Sequence, residues 1–192
     1  MPHPIAVEHK TAEDGRVLAE FWPLPTDQAF LETLFRDLFE NHWHQLTFGP
    51  MVEGGAYELR CPGAPQSITV SGGYFTVHWG SGGHFHLCIG ENRGSPENPT
   101  PPELIAHRRP GRVWLERGLD RAGHPVTWSL RAVNGRGEST IAIFFPNPFL
   151  TPDDGIAETP DFGRLALWQL VLERYAGTLP DGRDRLGKGF GK

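Results

Sequence analysis

The chain has 192 residues, 38% hydrophobic and 21% charged, the balance of a globular domain large enough to bury a core. Its formal net charge of −5 gives no large basic surface, so nucleic acid is not the expected partner. No stretch approaches the ~18 apolar residues of a membrane span, and acids stand where a signal peptide would place a basic region, so a cytoplasmic protein is expected.

With 24 Gly and 18 Pro, about a fifth of the chain is turn punctuation, which favours many short elements over a helical bundle. The two cysteines, Cys61 and Cys88, are expected as reduced thiols. Residues 1–25 carry Pro at 2, 4, 23 and 25 without a sustained period, and are expected to form an arm lying on the domain.

PTDQAFLETLFRDLFENHW is the first strong element, with Thr26 or Asp27 placed to cap a helix. Phe30, Leu31, Leu34, Phe35, Leu38 and Phe39 form one wide apolar stripe, and the helix should end near Asn41. Strand patterns follow at 56–60, 67–71, 74–79 and 84–89. The proline-rich stretch 91–111 is too long for a simple connector and is expected to be a binding loop or lid, with a helical turn near Glu103–His107. Strand patterns resume at 112–117, 126–133 and 138–145.

A second, largely apolar helix is predicted over about 162–175. The Gly-rich tail 177–192 should fray. The expected architecture is one α+β domain over 1–192: a mainly antiparallel sheet, flat or closed into a barrel, with an N-terminal and a C-terminal helix packed on it.

Side chains alternate across a strand, so the apolar pattern sets the register. A two-residue turn at Gly72-Gly73 pairs Ser71 with Tyr74 and Ser67 with His78, which puts Ile68, Val70, Phe75 and Val77 on one face. A five-residue loop over 79–83 then pairs His78 with His84, Thr76 with His86 and Tyr74 with Cys88. His78, His84 and His86 therefore share a face with Tyr74, Thr76 and Cys88.

Opposed Cβ atoms are ~4.5–5.5 Å apart, so the three imidazoles are within reach of one ion at ~2.0–2.1 Å from each nitrogen. His84 and Cys88 are ~13 Å apart along an extended strand, so one ion cannot take both without a bulge. The same sorting puts Val126, Trp128 and Leu130 with Ile141, Ile143 and Phe145 if 134–137 is a four-residue loop. Thr127, Ser129, Arg131 and Thr140 fall on the other face.

These residues point to a small protein binding a divalent ion, zinc or iron, through His78, His84 and His86. Glu91 or Cys88 would be a further ligand or a proton shuttle, and water in an open coordination position would make the ion a Lewis acid. Tyr74, Thr76 and Arg131 would contact a small-molecule ligand or substrate, with the 91–111 loop closing over it. Two other readings stay open: a haem or other tetrapyrrole held by one axial histidine, and a protein-interaction domain whose histidine face is simply solvated.

His42 and His44 at a helix end, and His107 beside Arg108 and Arg109, are further candidates for the site. The bland reading of the first two is a helix terminus. For the loop cluster it is a solvated surface, against recognition of a carboxylate or phosphate. His124 reads as a turn residue, and His3 and His9 carry no role. The spacing His84-x-His86-x4-Glu91 resembles part of the first motif of the cupins, β-barrel metalloproteins in which the matched residues are metal ligands. The resemblance covers only these three residues. His78 replaces the motif's leading glycine, the trailing glycine spacing differs, and GHPVTWSLRAVN does not supply the second motif.

Overall fold

The computed structural model describes residues 5–190. The first four residues of the expected arm, His3 among them, and the last two of the tail lie outside the described residues. The first six strands are β1 (Glu8–Thr11), β2 (Val17–Leu24), β3 (Thr47–Gly49), β4 (Met51–Val52), β5 (Gly55–Ala56) and β6 (Leu59–Arg60). The second six are β7 (Ser67–Ser71), β8 (Tyr74–His78), β9 (His84–Cys88), β10 (Pro110–Leu119), β11 (Pro125–Asn134) and β12 (Ser139–Phe144). The α-helices are α1 (Gln28–Arg36), α2 (Pro102–Arg108) and α3 (Ala166–Ala176).

The fold is α+β and mainly antiparallel. Seven strands form one sheet in the order β1-β2-β10-β11-β12-β3-β6, three form a second, β7-β8-β9, and β4-β5 is a short hairpin. The large sheet is open, with β1 and β6 at its edges, so it is not closed into a barrel. The chain divides into two compact units: Met1–Leu24 with Trp114–Leu130 and Phe144–Lys192, and Pro25–Val113 with Arg131–Ile143. It changes units three times within strands, inside β10, β11 and β12, so no linker composition marks those boundaries.

In the first unit, residues expected to form an arm are instead two paired strands, Glu8 opposite Phe21 and Lys10 opposite Ala19. The strand β2 buries Ala19, Glu20, Trp22 and Leu24. Glu20 and Pro23 hide this pattern in the sequence, because a carboxylate and a proline normally mark solvent or an edge. The core holds Trp22, Trp128 and Trp168, with Trp22 and Trp168 edge to face at 5.6 Å. The second predicted helix is present as a 3-10 turn, Phe162–Leu165, running into α3. It ends at Gly177, whose left-handed φ of 62° closes the last turn. The tail does not fray throughout: Gly182–Leu186 is a 3-10 turn, and Asp184 within it is fully buried.

In the second unit, Asp27 caps α1 by accepting the Phe30 N–H at 2.9 Å. The helix widens to a π-turn over Asp37–Asn41, ending where the apolar stripe ends. Leu31, Leu34, Phe35, Leu38 and Phe39 are buried, and Phe35 and Phe39 pack on Phe75 with ring centroids 5.8 and 6.3 Å away. That contact covers the apolar face of β8 and β9 and leaves the opposite face open.

The β11–β12 turn is one residue tighter than the conditional four-residue loop. The Asn134 N–H donates to the Glu138 carbonyl at 2.9 Å, and Gly137 takes φ 79°. Ile141, Ala142 and Ile143 are buried in succession, as are Trp128, Ser129 and Leu130. Strands covered on both faces lose the alternation on which the sorting of Ser129 to a polar face relied.

Candidate functional site: the histidine face of a three-stranded sheet

The register of β7, β8 and β9 is the one the apolar pattern gives. Ser71 pairs with Tyr74 and Ser67 with His78 across Gly72-Gly73, and both glycines take positive φ, 55° and 80°. His78 pairs with His84, Thr76 with His86 and Tyr74 with Cys88. The loop between β8 and β9 is closed by the Trp79 N–H on the Gly83 carbonyl at 2.8 Å.

One glycine is doubly constrained. A Cβ on Gly73 would stand 2.7 Å from the Glu91 carbonyl carbon, so the turn and the segment leaving β9 touch backbone to backbone.

Three imidazoles gather on the open face. The rings of His78 and His84 are nearly parallel, 5.6 Å between centroids, and those of His84 and His86 lie at 68° with centroids 5.0 Å apart. His84 and His86 are exposed and His78 is half-buried. Two of the rings are held by polar partners: His86 Nδ1 is 2.7 Å from Thr76 Oγ1, and His78 Nδ1 accepts the Gly80 N–H at 3.0 Å. A neutral imidazole that accepts at Nδ1 carries its proton on Nε2. In this arrangement His78 thus presents a donor outward, whereas His86 can keep Nε2 as a lone pair. No three His, Cys, Asp or Glu side chains among the described residues converge as a formed metal cage.

The remaining candidates are divided between this sheet and other parts of the chain. Cys88 donates its thiol to the Gly90 carbonyl at 3.3 Å, and burial pushes its pKa up despite the charge of Arg108. Glu91 is ion-paired with Arg93 at 2.6 Å. Tyr74 stands opposite Cys88, on the histidine face. Arg131 is on β11 of the large sheet, with Nη1 on Met51 Sδ at 2.7 Å, and is not part of the three-stranded sheet. His42 is 3.9 Å from Asp37, His44 meets Gln45, and His107 is 2.7 Å from Glu138.

The 91–111 segment contains the expected helical turn, as α2, and borders a cavity of about 800 Å³. Gln28, Glu91, Arg93 and Arg109 are among its lining side chains, with Gly90, Gly111 and Gly135 in its walls. Sequence reading missed this cavity because its lining comes from segments far apart in the chain.

No helix among the described residues is long and apolar enough to cross a membrane. Comparison with curated proteins and with solved structures gave no match. A family model described as a family of unknown function, DUF7676, matches residues 8–177, which include the histidine hairpin and the cavity-lining segments, and the chain belongs to that family.

Proposed function

We propose that the protein binds a divalent metal ion, zinc or iron, on the open face of β8 and β9, with His84 and His86 as the primary ligands and His78 as the third. The observation that carries this reading is the ring spacing. Two imidazoles that share one tetrahedral ion at ~2.0–2.1 Å have centroids roughly 5 Å apart, and the spacings here are 5.0 and 5.6 Å. Thr76 supports it by fixing His86 through Nδ1, the kind of partner that orients a ligating histidine.

Recruiting His78 through Nε2 requires its proton to move to Nδ1 and the Gly80 hydrogen bond to be given up, so it joins last. Water in the remaining position would supply Lewis-acid chemistry. The location proposed is the cytoplasm, consistent with two free thiols.

A second reading, a binding module for a small polar molecule, is favoured by the cavity beside the 91–111 segment. No histidine is among its lining residues, so it lends nothing to an axially ligated haem.

Elemental analysis of untagged protein, with a zinc titration followed by thermal melting, tests the metal reading. Near-stoichiometric metal and a rise in melting temperature are expected, and both are lost in His84→Ala/His86→Ala. Metal-free protein whose melting is indifferent to zinc overturns it and leaves the cavity as the stronger site.

A further inference from the structure

The first unit encloses an ion-pair network that belongs to none of these sites. Arg117, 2% exposed, lies over the Trp22 ring at 5.3 Å and is 2.6 Å from Glu20 Oε2. Asp184, fully buried, accepts three hydrogen bonds: from Arg117 Nη1 at 3.0 Å, Trp128 Nε1 at 2.7 Å and Trp168 Nε1 at 3.0 Å. The donors come from β10, β11 and α3, whereas the acceptor arrives on a 3-10 turn of the glycine-rich tail.

An indole N–H can only donate, and a guanidinium never gives up its charge. Two such indoles and one guanidinium aimed at a single point therefore define a receptor for a carboxylate, whatever chain carries it. Burial alone would lower the Arg117 pKa, but Asp184, Asp181 and Glu20 outweigh that and hold it above its ordinary value.

The segment bringing Asp184 is anchored by that side chain and by buried Gly187, which packs against Pro125 and Phe149, while most of its other residues face solvent. Its neighbours Arg183, Arg185 and Leu186 are exposed, and Asp181 reaches Arg117 from a half-exposed position at 3.1 Å. Arg183 pairs with Glu20 on the rim.

We propose that Arg117, Trp128 and Trp168 form a carboxylate-binding cradle, that Asp184 fills it as an internal ligand, and that it takes a free small carboxylate when that side chain is withdrawn. The tail is thus a plug in a binding site as well as a piece of packing.

Asp184→Gly removes the equivalent of one acetate molecule from the cradle. Its melting temperature should fall below that of the parent chain and rise again with acetate or formate, by roughly 3–5 °C for each tenfold excess of anion over its dissociation constant. Chloride at the same ionic strength should not reproduce the rise. The parent chain and Asp184→Gly/Trp168→Phe should show little or none of it.

Equal effects of carboxylate and chloride on Asp184→Gly overturn the proposal. If the variant is unfolded as made, it is refolded by dilution into formate or into chloride. Recovery of native fluorescence in formate alone supports the cradle, and failure in both anions overturns it.

Discussion

Trp168 and Trp22 meet edge to face in one core, yet only Trp168 has an acceptor for its indole N–H. Trp22 Nε1 is buried without a hydrogen-bond partner among the described residues. The two rings are chemically identical, so a matched pair of substitutions compares a hydrogen-bonded indole with one whose N–H is unpaired and whose ring lies under Arg117. Trp→Phe removes a similar volume at each site. At Trp168 it also removes a donor from the buried Asp184 carboxylate, a loss of about 1–3 kcal/mol. Trp168→Phe should therefore destabilise more than Trp22→Phe by that margin in urea titrations, and equal midpoints would count against the reading.

Gly73 and Gly15 take nearly the same φ, 80° and 79°. A Cβ at Gly15 meets nothing within 4 Å, whereas at Gly73 it meets Glu91 backbone at 2.7 Å. Gly15→Ala should show only the left-handed penalty of ~1–2 kcal/mol. Gly73→Ala should add a further ~1–3 kcal/mol from the overlap. Thermal melts of the two variants decide this, and a Gly73→Ala loss no larger than that of Gly15→Ala would refute the contact.

The helix α1 begins at a single side-chain cap, since Asp27 accepts the Phe30 N–H. Asp27→Ala should cost about 1 kcal/mol, and Asp27→Asn should keep most of it because the amide oxygen still accepts. Chemical denaturation of both variants checks the pair. If Asn fares as badly as Ala, the contribution is charge and not the cap.

Hydrogen bonds from Asn134 and then His107 hold the Glu138 carboxyl below its ordinary value of 4.5. A depressed folded pKa stabilises above the unfolded value and loses that contribution as the pH falls through the folded one. Glu138→Gln should therefore melt below the parent at neutral pH, with the gap closing as the pH drops beneath 4.5. A gap that stays constant across this range would rule out the carboxylate as its source.

How much of this was legible in the sequence depended on whether one face of a strand stays wet. In β7, β8 and β9 the alternation of Phe75, Val77 and Leu87 with Thr76, His78 and His86 is unbroken, and it gave the observed pairing of both hairpins. The helices α1 and α3 were legible too, from the stripe Leu31 to Phe39 and the apolar run around Trp168. The strand β2 was not, because Glu20 is buried on the strength of Arg117, 97 residues away. No local pattern signals that a carboxylate will find its partner so far along the chain. The cradle escaped for the same reason: Asp184 reads as one acid among several in a polar, glycine-rich tail until its donors are assembled around it.

The interleaving of the two units also sets an order of assembly on the ribosome. The second unit has all its residues once position 143 has emerged, whereas the first still lacks α3 and Asp184. From that point, synthesis at ~5–20 residues per second leaves Arg117 and the Trp128 indole without that acceptor for roughly 2–8 s more, while residues up to 184 are added. Through that interval the nascent first unit carries a buried-type cation with its partners incomplete. A chain stalled or cut before residue 184 would be left in that state permanently, so losing the tail from Asp184 onward should be far more damaging than its glycine-rich composition suggests.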